Sequence, residues 1–277
     1  MALAAGIVAL CIGGLFLRQP VLIKAILAKY KSTAHFVTLA EDPRIRYELP
    51  AKENAIALKE VLSKSQQQVE LVLKARFGKP LQLYVCASQN AFNDYVFLSK
   101  NVKGAVYWGK VFLSPGAFRD DRDALAELTT HELTHYLFYT HLGEKAHLEN
   151  IPLWFREGVA TFVADGGADY TAVRDVADLM SIAEKEAYLS GATNPWFASN
   201  NPRDALTSKG TANWMLYRVG ASFVHYLHDT QPVRFDKLIE LLLSGTELSK
   251  AVALAYGQNI EGLRNEFSQY LRAKRGP

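Results

Sequence analysis

The sequence predicts an α+β fold, with a small N-terminal mixed α/β sheet lobe, a mostly helical lobe after it, and an N-terminal membrane segment ahead of both. Three observations predict it. Strand-like alternation ends by Leu113, helical periodicity dominates from Asp121 onward, and an uncharged apolar run stands apart at the N-terminus. The chain has 277 residues, 49% of them hydrophobic, which is enough for a sizeable core. Lys and Arg number 31 against 28 Asp and Glu, a net charge of +3 that is too small and too evenly spread for a nucleic-acid surface. No nucleic-acid partner is expected. The only cysteines are Cys11 and Cys86, so there is no disulfide framework, and any metal must be held by His and carboxylates.

The elements follow in order. Ala2 to Leu17 carries no charge and ends at Arg18-Gln19-Pro20. It reads as an uncleaved single-pass anchor, with a signal peptide as the alternative, because no small-x-small cleavage site follows before Lys24. Arg18, Lys24, Lys29 and Lys31 all follow the run, so the positive-inside rule taken literally leaves the body in the cytoplasm. Exported hydrolases with such anchors favour the periplasmic or extracytoplasmic side instead. Val21 to Lys31 is basic and amphipathic, a connector that lies on the membrane surface or continues the first helix. Residues 1–31 therefore form the anchor and connector, and 32–277 the body, divided into an α/β lobe over 32–120 and a helical lobe over 121–277.

Within the body, Ile45 to Leu49 alternates as a short strand, and Ala51 to Phe77 has helical spacing up to the Gly78-Lys79-Pro80 break. Leu81 to Cys86 and Ala105 to Leu113 read as strands. Beyond Asp121, breaks are expected at Gly143, Gly166-Gly167, Asn194 to Pro202, and Gly257. There is no internal repeat.

The chemistry is concentrated just after the sheet lobe, in Thr130-His131-Glu132-Leu133-Thr134-His135. The spacing predicts a helix that starts near Asp121 to Asp123 and ends at Gly143. Histidines four apart on a helix lie on one face, so His131 and His135 can converge on one metal ion. Glu132, beside them, is placed to polarise a metal-bound water rather than to bind the ion. A catalytic zinc needs a third protein ligand and one open position. His141 has the metzincin spacing, but Phe138 stands where that pattern needs glycine, so the helix continues and carries His141 to the far side. His147, in the following loop, is a weaker candidate. Glu157 lies on the second turn of a helix initiated by Pro152, with Gly158 and Ala160 as small neighbours that would let the motif helix approach. The alternative for Glu157 is a solvated carboxylate paired with Arg156 or a lysine. The set His131, His135 and Glu157 holding one Zn2+ ion is the expectation.

Three stretches resemble the gluzincin metallopeptidases, and among them the peptidase MA-like proteins. They are His131-Glu132-Leu133-Thr134-His135, Pro152-x-Trp154-x-x-Glu157-Gly158-x-Ala160, and Tyr217-x-x-x-x-Ser222-Phe223-Val224-x-Tyr226-Leu227. The resemblance covers about the last 150 residues and is most specific at the metal motif. It implies a thermolysin-like zincin fold, peptide or protein substrates, and a sheet edge strand along the cleft, for which Tyr107 to Leu113 is the match. Tyr217 matches the family's recurrent tyrosine and would assist the oxyanion; its alternative is a core tyrosine with a tied hydroxyl. Thr161 stands where the family usually has an acidic residue one turn beyond the glutamate, so the group that orients the imidazoles is open. His225 and His228 read as a helix-surface or core pair. The expected function is zinc-dependent peptide-bond hydrolysis, most simply by an endopeptidase, with Glu132 as general base. The alternative is a membrane-tethered binding or scaffold protein with a zinc site and no turnover.

Overall fold

A computed structural model describes residues 26–96, 102–164 and 212–274, with backbone alone for 212–219 and 271–274. The described chain is α+β, a five-stranded mixed sheet followed by a mostly helical region. By compactness it forms two units. One takes the residues up to Val61 with Leu81–Leu125, and the other takes Leu62–Pro80 with Ala126 onward.

The sheet unit contains strands β1 (Val37–Thr38), β2 (Ile45–Tyr47), β3 (Leu83–Val85), β4 (Gly104–Tyr107) and β5 (Lys110–Leu113), in the spatial order β1-β2-β3-β5-β4. β3 pairs in parallel with both β2 and β5, while β1 and β4 add antiparallel edges. Helix α1 (Lys52–Val72) supplies the crossover that parallel β2 and β3 require. Its length follows from the apolar spacing that puts Ala55, Leu58, Leu62 and Val69 entirely inside. A second helix, α2 (Gln89–Val96), was not legible in the alternation of its neighbours; it buries Phe92, Tyr95 and Val96 against the sheet. Tyr95 and Tyr84 stack on Phe112 with ring centroids 4.8 and 5.2 Å apart, so the sheet's core is largely aromatic.

The segment Ala105 to Leu113 is not one strand. Trp108 and Gly109 have φ of 47° and 74°, and Tyr107 pairs with Lys110, which defines a two-residue hairpin of the kind that needs positive φ at both central positions. The expectation that Tyr107 to Leu113 forms an edge strand is therefore corrected. β5 is internal, and the edge is β4. Continuous apolar alternation concealed the turn, and Trp-Gly lacks the Asn or Asp that usually signals one.

The helical unit comprises the end of α1 and helices α3 (Arg122–Asn150), α4 (Leu153–Ala164), α5 (Ala212–Thr230), α6 (Pro232–Leu243), α7 (Leu248–Tyr256) and α8 (Ile260–Lys274). α3 breaks at Gly143, whose φ of 73° and ψ of 172° interrupt the helix, so the expected end is a kink followed by two further turns. Gly257 closes α7 in the left-handed conformation. The expected breaks at Gly166-Gly167 and Asn194 to Pro202 lie outside the described residues. The core gathers Trp154, Phe155 and Phe162 from α4, Phe223 and Leu227 from α5, Phe235 from α6 and Phe267 from α8. Among the described residues no helix is long and apolar enough to cross a membrane. The run Ala2 to Leu17 lies outside them.

Candidate metal centre

Every residue of the centre belongs to the helical unit. α3 is fixed along its length by bonds to the 76–80 loop. Tyr136 donates its hydroxyl to the Pro80 carbonyl at 2.6 Å, and the Gly78 amide donates to the Thr140 hydroxyl at 3.0 Å. His141 bonds through Nε2 to the Arg76 carbonyl at 2.8 Å, which gives this histidine a structural task away from the cluster. Leu133 and Leu137 face the core, and the i, i+4 spacing brings His131 and His135 onto one flank.

α4 starts just after Pro152, whose carbonyl accepts from the Phe155 and Arg156 amides. Its C-terminal end is held by Gln68 of α1, which donates to the Val163 carbonyl at 2.5 Å. Against α5 the helix packs through glycine on glycine. A Cβ at Gly158 would lie 2.6 Å from the carbonyl carbon of Gly220, and one at Gly220 would lie 2.5 Å from the Trp154 oxygen. The small residue beside Glu157 thus serves the approach of α5, not the approach of the motif helix that its sequence context implies.

The three ligand candidates converge. Nε2 of His131 lies 3.2 Å from Nε2 of His135 and 3.2 Å from Oε2 of Glu157, and the His135–Glu157 separation is 3.4 Å. Zinc with ligands at about 2.0–2.1 Å in a tetrahedron requires ligand atoms about 3.3–3.4 Å apart, so the observed triangle is one face of that figure. The three side chains keep 14–16% of their surface accessible, so they line a recess rather than a sealed core.

The electrostatics agree. Burial alone would raise the Glu157 pKa, but the charge of His135 and hydrogen bonds from both imidazoles outweigh it and hold the carboxyl far below its ordinary range. Burial opposes ionisation of His131 as well, yet Glu157 and Glu132 raise its pKa. Glu132 is buried next to the cluster but outside the triangle, and burial pushes its pKa up.

Thr161, where a carboxylate orienter would be expected, is a buried threonine. Tyr217 lies on the second turn of α5; its side chain is outside the description. His225 and His228 lie against Phe162, at 6.2 and 5.3 Å between ring centroids, and belong to the aromatic core. Two neighbours of the site have other places than the sequence suggested, where His147 was a weak ligand candidate in a loop and Arg156 an ion-pair partner of Glu157. The Gly143 kink turns His147 back until its ring is 6.1 Å from that of His135, where burial pushes its pKa down. Arg156 forms no ion pair with Glu157, contrary to the sequence alternative, and its Nε is buried without a partner among the described residues.

Fold and cluster together define a candidate metal centre. The Peptidase MA superfamily matches residues 65–273, well over half of the chain, and the chain belongs to that superfamily. The matched span includes α3, α4 and the whole cluster. No curated protein matches the chain.

Proposed function

We propose that the protein is a zinc-dependent peptidase, most simply an endopeptidase, with the metal held by His131, His135 and Glu157. The triangle of ligand atoms, 3.2, 3.2 and 3.4 Å on its edges, carries this reading. Zinc bound there supplies Lewis acidity, which acidifies water and polarises a scissile carbonyl. Glu132 takes the water's proton and delivers it to the leaving amine. Its burial supports this role, since a carboxyl with a raised pKa is a better base. Tyr217 donates to the oxyanion, a role supported by its match to the family's tyrosine position.

The body, residues 32–277, is the catalytic domain, tethered through residues 1–31 to a membrane and placed outside the cytoplasm. The uncharged run Ala2 to Leu17 supports the tether. A C-terminal fusion to a reporter that is active only outside the cytoplasm tests the side.

The test of the chemistry combines zinc analysis with cleavage of casein, an unstructured protein, by the full-length wild type and Glu132→Gln. Both are expected to hold one zinc, while the substitution lowers turnover by about 10²–10⁴-fold. Stoichiometric zinc without cleavage by the wild type would overturn the enzyme reading and leave a metal-bearing binding or scaffold protein.

A further inference from the structure

Arg156 is the unexplained charge beside this centre. It precedes the ligand Glu157 on α4, its Nε is closed to solvent, and it has no hydrogen bond or ion pair among the described residues. The acids whose charge it feels are Glu157 and Glu144, and neither pairs with it. Glu157 is already committed to the two imidazoles. A guanidinium nitrogen closed to water and left unpaired is costly, and the planar fork of donors on an arginine matches a carboxylate oxygen for oxygen. His147 stands close enough for the Arg156 charge to act on it, buried against His135 and Phe138 with no hydrogen bond among the described residues. Two unused donors thus flank the His135–Glu157 side of the cluster.

We infer that Arg156, with His147 beside it, forms a carboxylate-binding subsite next to the metal triad, so that preferred substrates carry a carboxylate adjacent to the cleaved bond. That carboxylate is either an acidic side chain or the free C-terminus of the peptide. The inference rests on the peptidase reading for its meaning, and on the unpaired guanidinium for its evidence. The positive charge of Arg156 fixes the sign of the ligand, and its neighbour His147, whose ring lies 6.1 Å from that of His135, gives the place.

The test is binding, independent of turnover. Full-length Glu132→Gln protein in detergent, loaded with zinc, is titrated into three fluorescent hexapeptides and read by anisotropy. One is neutral with a free C-terminus, one is the same peptide amidated, and one is amidated with a central glutamate. A charge-assisted pair predicts that at least one carboxylate peptide binds about 10–100-fold more tightly than the amidated neutral one, and which peptide gains identifies the source. Adding Arg156→Gln should reduce that preference to near unity, whereas Arg156→Lys should retain part of it. Equal affinity for all three peptides with Arg156 intact overturns the inference, and so does absence of binding or a preference that survives Arg156→Gln. The comparison with Arg156 intact decides the matter even if the substituted proteins fail to fold. Zinc content of the same samples separates the two readings, since protein without stoichiometric zinc refutes the metal site whatever the peptides do.

Discussion

Gly158→Ala would place a methyl group 2.6 Å from the carbonyl carbon of Gly220 and 2.8 Å from both its Cα and its oxygen. Non-bonded carbon atoms sit at about 3.5–4.0 Å, so α4 and α5 would have to separate by about 1 Å. No side chain can yield instead, because every atom met is backbone. Two effects compete. Alanine gains about 1 kcal/mol over glycine in helix propensity, while forcing apart a packed interface costs about 1–3 kcal/mol. The interface includes Trp154 on Phe223, with centroids 5.7 Å apart, and the fully buried Phe155, Val159 and Val224. With so much buried around the contact the upper part of that range applies, and the net loss is about 1–2 kcal/mol. Glu157 is the adjacent residue, so the same displacement disturbs the ligand triangle. Thermal unfolding of the full-length protein in detergent should show a Tm lower by about 2–8 °C. Competition with a chromophoric chelator should show zinc affinity reduced about 10-fold. A Gly158→Ala protein as stable as the wild type or more so, with unchanged zinc affinity, would refute the close crossing as the device that positions the ligand.

Glu157→Ala should lose stoichiometric zinc by metal analysis, whereas His141→Ala should retain it, because His141 is engaged with the Arg76 carbonyl; the reverse result would reassign the third ligand. Asp42 accepts from Arg44 Nε at 2.9 Å and Nη2 at 2.6 Å, and the guanidinium holds its carboxyl below the ordinary range despite partial burial. A pKa depressed in the folded state contributes stability above the unfolded value, and that contribution is lost as pH falls through the folded value. Asp42→Asn should therefore cost about 1–2 kcal/mol near pH 7 in chemical denaturation, and the difference from wild type should vanish in acid.

The cluster of His131, His135 and Glu157 was legible because its geometry is local. A two-histidine motif on one helix needs only the helical repeat to bring His131 and His135 together, and Glu157 followed from the need for a third ligand near a helix start. What Gly158 does was misread for a physical reason. Sequence shows that a small residue permits close approach, but not which helix approaches, and the partner, Gly220, lies 62 positions later. The hairpin was hidden similarly, since Tyr107-Trp108-Gly109-Lys110 continues the alternation of a strand and only positive φ at Trp108 and Gly109 reveals the reversal. Arg156 was visible in the sequence only as a candidate partner for the adjacent Glu157. Its lack of a partner is a tertiary fact.

The cluster is held in place by its protein surroundings, and this has a thermodynamic consequence. α3 is tied by Tyr136, Thr140 and His141 to the 76–80 loop, and α4 by Gln68 at one end and the glycine crossing in its middle. The ligand atoms therefore cannot relax far apart, and two Nε2 atoms 3.2 Å from each other must share whatever protons are available. A cation that binds only the folded arrangement relieves this and stabilises it by mass action, about 2.7 kcal/mol at a free metal concentration 100 times Kd. At about 2–4 °C per kcal/mol, zinc-loaded protein should melt about 5–11 °C above protein stripped by a chelator. Glu157→Ala should lose most of that difference, and Glu132→Gln should keep it, because Glu132 stands outside the triangle. Equal melting temperatures with and without zinc in the wild type would show that the triangle is not a metal site. A zinc effect that persisted in Glu157→Ala would show that the metal binds elsewhere.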